Sequence, residues 1–490
     1  MRIMKQLLRN HRNLSIWLLL TGMAIVILFF ISPDSYINDM SRRVDASWFY
    51  MCGKAWMNGL VPYVDFADSK GPFLWLIYGI GYLLCHTSYH GIFWISCLWY
   101  GLSYFYTFKT ARLFLPDTKQ ALSCTVLMTM AFFCPWFHNE IRAEDFALLF
   151  MVISLYEMCR LVWTSSDDYY RYLILGVCFS ALLMIKFNIA AMQAVLILAV
   201  LATFLRKQFV RKAFICAFGA IIFLLPFIVY FLVKGNLVAF FQEYFLRTFE
   251  TASISYVHGD SGILGRAILY LREWYCVLAE PQIGALLLLL VLGGLLFSRR
   301  LQSNRYLLLI VSLGVFALNI RHHILYYFTI CSPFLLFLFI SVIQDSKRKL
   351  NMGYIMICAA SLLIAISSHY LLINYPAKEQ IDNTPSEIIA QTRKATLVNA
   401  FDHETGIGTL GEALPAGKYW ARQNGSTEQM DAEHRDLILS GKADFVYIRN
   451  LDNLRQYNLT LEEIKEVGYH TIYADGDNPS TLLLTNRSDL

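Results

Sequence analysis

Long apolar runs recur from one end of this chain almost to the other, and they restrict what it can become. The first extends from Leu14 to Ile31. Ten more lie near 91–108, 121–137, 146–163, 172–186, 187–205, 213–233, 282–298, 306–320, 324–343 and 353–374. At 1.5 Å per residue, about 20 helical residues cross a ~30 Å hydrocarbon core. Lipid offers backbone groups no partner, so runs this long and numerous point to a bundle of spanning helices. Composition agrees, since only 16% of the 490 residues are charged against about 25% in soluble domains. Hydrophobic residues make up 57%, and mean hydropathy is +0.47. Phe, Tyr and Trp supply 15%, which suits aromatic belts at membrane interfaces. A disordered chain, a collagen-like repeat, a small disulfide scaffold and an ordinary soluble enzyme are excluded. A net charge of +5 without a long Lys/Arg stripe excludes nucleic acid as a partner. All eleven cysteines precede residue 360 and none forms a CxxC. Most sit in apolar runs, where Cys behaves as a small hydrophobe.

Charge sets the direction of the spans. Arg2, Lys5, Arg9 and Arg12 precede the first run, which is longer than a signal core and has no small-x-small cleavage site after it. It reads as an anchored helix with a cytoplasmic N-terminus. The stretch Pro72–Cys85 reaches only about 21 Å as a helix, too short to cross. The segment 172–205 is too long for one crossing and short for two. If 72–85 does not cross and 172–205 crosses twice, four basic clusters share the cytoplasmic side. These are Lys109/Arg112/Lys119, Arg206/Lys207/Arg211/Lys212, Arg299/Arg300/Arg305 and Lys347/Arg348/Lys349. The reading is a polytopic α-helical protein with about eleven spans in a bacterial inner membrane. Its spanning domain covers 1–375, with outer loops at 33–90 and 234–281, and the C-terminus is periplasmic.

From Pro376 onward charge rises and the long apolar runs stop. Ala395–Phe401 and Asp444–Ile448 read as buried strands, and Glu428–Leu439 and Leu461–Val467 as helices. His470–Tyr473 and Thr481–Thr485 flank a polar turn like a hairpin. Residues 376–490 are therefore expected to form a small periplasmic α/β domain. Asp475-Gly-Asp477 matches a D-x-D motif, but between two strands it reads as a turn.

The chemistry-bearing residues cluster in the outer loops. Asp45–Asn58 places Trp48, Met51, Cys52, Ala55 and Trp56 at helical spacing, as in a helix lying on a membrane surface. Tyr63, Asp65, Asp68, Lys70 and Pro72 follow. Glu144 and Asp145 lie in the second loop, Glu243, Tyr244 and Arg247 in the third. Lys186 stands between two spans, and Arg321, His322, His323, Tyr326 and Tyr327 precede a late one.

The run "RVDASWFYMCGKAWMNGLVPYVDFADSKGPFLWLIYGIGYLL" resembles the first outer loop of the GT-C membrane glycosyltransferases. Within that group it is similar to the protein O-mannosyltransferases and the aminoarabinose transferases. Their pattern is an acid opening a helix, then G-x-x-x-Y, then K-x-P. Here these positions are Asp45, Gly59 to Tyr63, and Lys70 to Pro72. "IRAEDFALLF" is similar to the family's second acidic loop, with Asp145 at the matching place. "LLMIKFNIA" resembles its lysine between two spans, "FFQEYFLRTF" its stretch near the donor phosphate, and "RHHILYYFTICSP" its His/Tyr-rich start of a late helix. The resemblance covers most of 1–345, and weakly the tail through "LPAGKYWARQ" and "KADFVYIRN". Many relatives carry two consecutive acids where this chain has Asp45-Ala46, which removes the pair a bridging metal would need.

The resemblance implies transfer of a sugar from a polyprenyl-phosphate donor to a lipid-linked glycan, lipid A or a protein at the outer face. A phosphate leaving group needs cations more than an acid, and an attacking hydroxyl needs a base. Lys70 and Arg247 are the donor-phosphate candidates, Asp45 and Asp145 the catalytic candidates. Tyr63, Glu144, Lys186, Glu243, Tyr244, His322, His323 and Tyr326 are candidates for substrate contact. Adjacent His322 and His323 point apart on a helix without a third ligand at metal spacing, so neither metal nor other cofactor is predicted. Structural alternatives stand beside these roles: N-caps for both aspartates, headgroup snorkelling for Lys70, and interface anchors for Arg247 and Lys186. A lipid-linked-sugar flippase would need mid-span charges and half-to-half symmetry, which are not seen. A glycan polymerase or ligase would rely on a late Arg/His-rich loop and need no K-x-P.

Overall fold

Helices occupy ten of the eleven apolar runs. The eleventh, 353–374, lies outside the described residues. The computed structural model describes residues 2–37, 44–134, 141–164, 167–203, 208–248, 263–320, 324–345, 384–392, 394–402, 406–410, 413–423, 426–476 and 478–490. The chain divides into two compact units. One comprises Met1–Ile37, Trp94–Pro226 and Gly262–Pro376, the other Asn38–Phe93, Phe227–Ser261 and Ala377–Leu490.

The first unit is helical. Among the described residues, five helices are long and apolar enough to cross a membrane: Arg12–Ile31, Ala143–Trp163, Phe209–Val233, Pro281–Ser298 and Leu325–Gln344. The last begins as a 3₁₀ segment, Leu325–Leu335. Tyr169–Ile185 and Phe187–Thr203 have 17 residues each and Leu307–Asn319 has 13, so they reach only about 20–26 Å. The run at 121–137 is interrupted at Met128, between Thr118–Leu127 and Thr129–Phe132. Among the described residues, ten of the eleven expected crossings are thus helical, and five of these helices meet both length and composition for a span.

The ambiguous segment 172–205 folds as two helices. Lys186 adopts extended backbone (φ −157°, ψ 117°) between them. The Gln193 amide then donates to the Leu175 carbonyl at 3.1 Å and to Ser154 Oγ at 2.8 Å. A residue after the break can reach one before it only if the chain doubles back there. Gly176 lets the Tyr169–Ile185 and Phe209–Val233 helices approach closely, because a Cβ there would lie 1.8 Å from the Cys216 carbonyl oxygen. Near the loop end of the same helix, buried Arg171 pairs with Glu157 at 2.5 Å.

The second unit combines loop helices with a mixed sheet. Strands β1 (Thr396–Asn399), β2 (Leu414–Pro415), β3 (Phe445–Ile448), β4 (His470–Ala474) and β5 (Leu482–Thr485) lie in the order β2-β1-β3-β5-β4. β1 is parallel to β2 and β3, whereas β5 is antiparallel to β3 and β4. Alternation along the central strands divides the core between two faces. Val398, Val446, Ile448 and Leu484 pack with Ile438, Leu454 and Ile464. Leu397, Phe445, Tyr447 and Leu483 pack with Ile389, Ile407 and Ala413. The Glu428–Leu439 helix has the expected bounds. Leu461–Glu466 is one residue shorter than expected. Asp475 donates its N–H to the Thr481 carbonyl at 3.1 Å, closing the expected turn.

This unit also contains residues 38–90 of the stretch read as the first outer loop. Helix Val44–Met57 is followed by Pro72–Leu84, and Gly53 permits their crossing, since a Cβ there would meet Gly79 N at 2.4 Å. Gly59, at φ +95°, ends the first of these helices. The apolar stripe predicted to face lipid is a protein interface instead: residues 46–55 are all buried. Trp48 packs on Trp420 with ring centroids 5.4 Å apart, Lys54 Nζ donates to the Gly408 carbonyl at 2.5 Å, and Ala67 N–H donates to the Lys418 carbonyl at 3.2 Å. Helical periodicity alone does not distinguish a lipid-facing stripe from one covered by chain more than 300 residues away.

Candidate functional site

In the second unit the K-x-P loop is held by Tyr63. Its backbone lies in the left-handed region at φ +66°, which costs a non-glycine residue about 1 kcal/mol or more. The contacts around it offset that cost. Its N–H donates to the Phe66 carbonyl at 2.7 Å, and its hydroxyl donates to the Lys70 carbonyl at 2.9 Å. The ring is 1% exposed, with its centroid 4.8 Å from that of Trp75 and 5.4 Å from that of Phe240. Tyr63 therefore fixes the backbone of Lys70. The Lys70 ammonium stands half-buried over the Phe49 ring at 5.7 Å and donates to Ser69 Oγ at 3.3 Å.

The third-loop residues form a polar cluster in this unit. Leu237–Phe240 runs into a π turn, Phe241–Leu246, and the Arg247 N–H bonds to the Gln242 carbonyl, five residues back. Glu243 and Arg247 pair within this turn. The Tyr419 hydroxyl accepts from the Arg247 guanidinium and donates to Glu243 Oε1 at 3.2 Å. Lys418 Nζ pairs with the same carboxylate. The Arg247 guanidinium and the Lys418 ammonium flank the Tyr419 ring at 4.7 and 5.0 Å. Burial pushes the Tyr419 phenol above its ordinary pKa; Arg247 opposes this and Glu243 reinforces it, so the hydroxyl keeps its proton. Burial is the largest single influence on the Lys418 ammonium and disfavours it, but the hydrogen bond to Glu243 and the further interactions with Glu243 and Tyr419 together outweigh it and hold the pKa above the ordinary lysine value. Tyr244 is fully buried among Tyr63, Phe240 and Phe245.

Asp45 lies in the first turn of Val44–Met57 and is half-buried. A carboxylate suits this end, where backbone N–H groups lack helical partners and carry positive partial charge.

A second polar group lies in the first unit. Asp145 closes a capping box at the start of Ala143–Trp163, where its Oδ2 accepts from the Arg142 N–H at 2.8 Å. Its Oδ1 accepts from the Tyr100 hydroxyl. Glu144 and Lys186 are buried and pair at 2.5 Å. The Lys186 ammonium sits 3.8 Å from the centre of the Tyr327 ring, and the Arg142 guanidinium 3.7 Å from that of Tyr326. His322 and His323 lie outside the described residues.

The candidates therefore belong to two groups. Asp45, Tyr63, Lys70, Glu243, Tyr244 and Arg247 are in the second unit; Glu144, Asp145, Lys186 and Tyr326 are in the first. Sequence reasoning did not single out Lys418 or Tyr419, though a basic–aromatic pair after Pro-Ala-Gly in "LPAGKYWARQ" was the available signal. It also missed Lys54, buried on the first-loop helix, and Tyr100, the partner of Asp145. Among the described residues, no group of three or more His, Cys, Asp and Glu side chains is placed to hold a metal ion.

Residues 69–231 match the sequence model of the dolichyl-phosphate-mannose-protein mannosyltransferases. No curated protein matches the chain significantly in sequence. In fold, the chain is similar to crystal structures of ArnT from Cupriavidus metallidurans, one in the apo state and one bound to undecaprenyl phosphate. Each comparison gives a TM-score of 0.59 at 11% identity, covering 96% of this chain and 98% of that one. The comparisons thus give a sequence match over residues 69–231, which include the K-x-P loop and the helices after it, and a fold similar to that of ArnT over nearly the whole length.

Proposed function

We propose that the protein transfers a sugar from a polyprenyl-phosphate donor to a hydroxyl-bearing acceptor on the periplasmic face of a bacterial inner membrane. The observation that carries this is the pair of cations, Lys70 and Arg247, held by buried aromatic scaffolds in the same unit as Asp45. The solved ArnT is bound to undecaprenyl phosphate, the type of lipid that would leave in such a reaction. The acceptor oxygen forms a bond to the anomeric carbon as the bond from that carbon to the phosphate oxygen breaks. The electron pair leaves with polyprenyl phosphate, whose charge Lys70 and Arg247 stabilise. The acceptor proton passes to Asp45. Asp145 remains the alternative base; in the first unit it accepts hydrogen bonds from Tyr100 and Arg142.

The test is Asp45→Asn in purified protein supplied with radiolabelled polyprenyl-phosphate sugars and candidate acceptors. Loss of a positioned base costs about 10²–10⁴-fold in rate, while donor binding and folding should remain. Retention of more than about a tenth of wild-type turnover, a loss smaller than the low end of that range, would make Asp45 structural.

A further inference from the structure

Lys418 and Tyr419 come from the tail, yet they reach residues of the third outer loop; Tyr419 and Arg247 are 172 positions apart. Backbone contacts hold this segment firmly. The Lys418 carbonyl accepts from Ala67 N–H at 3.2 Å, and the Gln423 amide donates to the Ala67 carbonyl. Lys418 is thereby tied to a residue three positions before Lys70. Its own side chain extends to Glu243, beside Arg247. Three donors of different kinds then share one carboxylate: a guanidinium, an ammonium and a phenol hydroxyl. A carboxylate presents two coplanar oxygens and one charge. A phosphate monoester presents three terminal oxygens and up to two charges, and such an oxyanion draws stronger bonds from a planar guanidinium and an ammonium. Lys418 remains partly open to solvent, its side chain 29% exposed against 11% for Glu243, so an arriving anion can reach it.

We propose that Lys418, with the Tyr419 hydroxyl beside it, is a further phosphate-binding group, and that Glu243 holds its place until a phosphate displaces the carboxylate. This rests on the assignment of Lys70 and Arg247 to the donor phosphate and extends that site to the C-terminal region. The phosphate is the monoester headgroup of the departing polyprenyl phosphate, or a free phosphate ion; the two share the same recognition chemistry.

Full-length protein in lipid nanodiscs is titrated with farnesyl phosphate and, separately, with inorganic phosphate. Lys418→Met should weaken farnesyl phosphate binding about tenfold, the scale of one charge-assisted hydrogen bond. Lys418→Arg should stay within about threefold of wild type, since it keeps the charge and donors. Glu243→Gln should bind more tightly, by about three- to tenfold, because the competing internal anion is gone. If inorganic phosphate shows the same ranking, the site takes free phosphate; if it binds none of the variants, only a lipid headgroup is accepted. Arg247→Met separates the two readings. Should it weaken binding while Lys418→Met and Glu243→Gln leave it within about twofold, Lys418 is no ligand and the donor site stands. Weaker binding by Glu243→Gln would overturn the placeholder role. If neither Arg247→Met nor Lys418→Met changes binding, the donor-site assignment also fails.

Discussion

Acidification should loosen the segment that carries Lys418 and Tyr419, through His434. This residue lies on the Glu428–Leu439 helix and is 2% exposed. Its Nε2 accepts from the Phe401 N–H at 3.0 Å, and its Nδ1 meets the Tyr419 carbonyl. A backbone N–H can only donate and a carbonyl can only accept, so the ring is neutral with its proton on Nδ1. A second proton, on Nε2, would face the Phe401 N–H. Burial accordingly lowers the pKa from 6.5 to about 4; the hydrogen bond to Tyr419 opposes this and Arg422 adds to it. The unfolded ring takes up a proton below 6.5 while the folded ring resists until about 4, so stability is complete above 6.5 and falls between these values. Over the whole window the change is roughly 3 kcal/mol, and at pH 5 about 2 kcal/mol is already lost. Hydrogen exchange of peptides covering 396–402, corrected for intrinsic rates, should show protection about 30-fold lower at pH 5 than at pH 7.5. His434→Gln can accept from Phe401 through its amide oxygen and donate to Tyr419 without titrating, so its protection should change little. Equal losses in the wild type and His434→Gln would refute the reasoning, because another group would then be responsible.

Two further outcomes follow from the structure. Lys186→Met should destabilise the first unit by about 3–5 kcal/mol by leaving Glu144 buried without its cation, while Lys186→Met with Glu144→Leu should restore most of that loss; thermal unfolding in detergent distinguishes the two, and a double variant no more stable than the single one would contradict the pairing. The proposed orientation places the tail in the periplasm, so Ser488→Cys, at an exposed position, should react with an impermeant thiol reagent in intact spheroplasts above the labelling of the parent protein, and labelling only after lysis would reverse the topology.

Much of the fold follows from local pattern. Lengths of apolar sequence located ten helices because lipid requires backbone hydrogen bonds to be satisfied within the helix. The tail strands at 396–399 and 445–448 were legible as short apolar runs, and the 470–485 hairpin from the polar turn between its arms. Asp45, Lys70 and Arg247 were singled out as chemistry-bearing groups in outer loops, and the K-x-P motif connected them to a family. Distant pairings left no such pattern. The Trp48 stripe has the helical period of a lipid-facing surface, and only the arrival of Trp420 and Gly408 makes it an interior interface. Glu144 and Lys186 become partners because the chain doubles back at Lys186, which local hydropathy could not settle. Lys418 and Tyr419 lie in the tail run "LPAGKYWARQ", which carries no chemical pattern of its own, but Ala67 and Glu243 bring them to Arg247. Periodicity records which face of an element is apolar; what covers that face, and which charges meet beside it, depends on contacts between residues hundreds of positions apart.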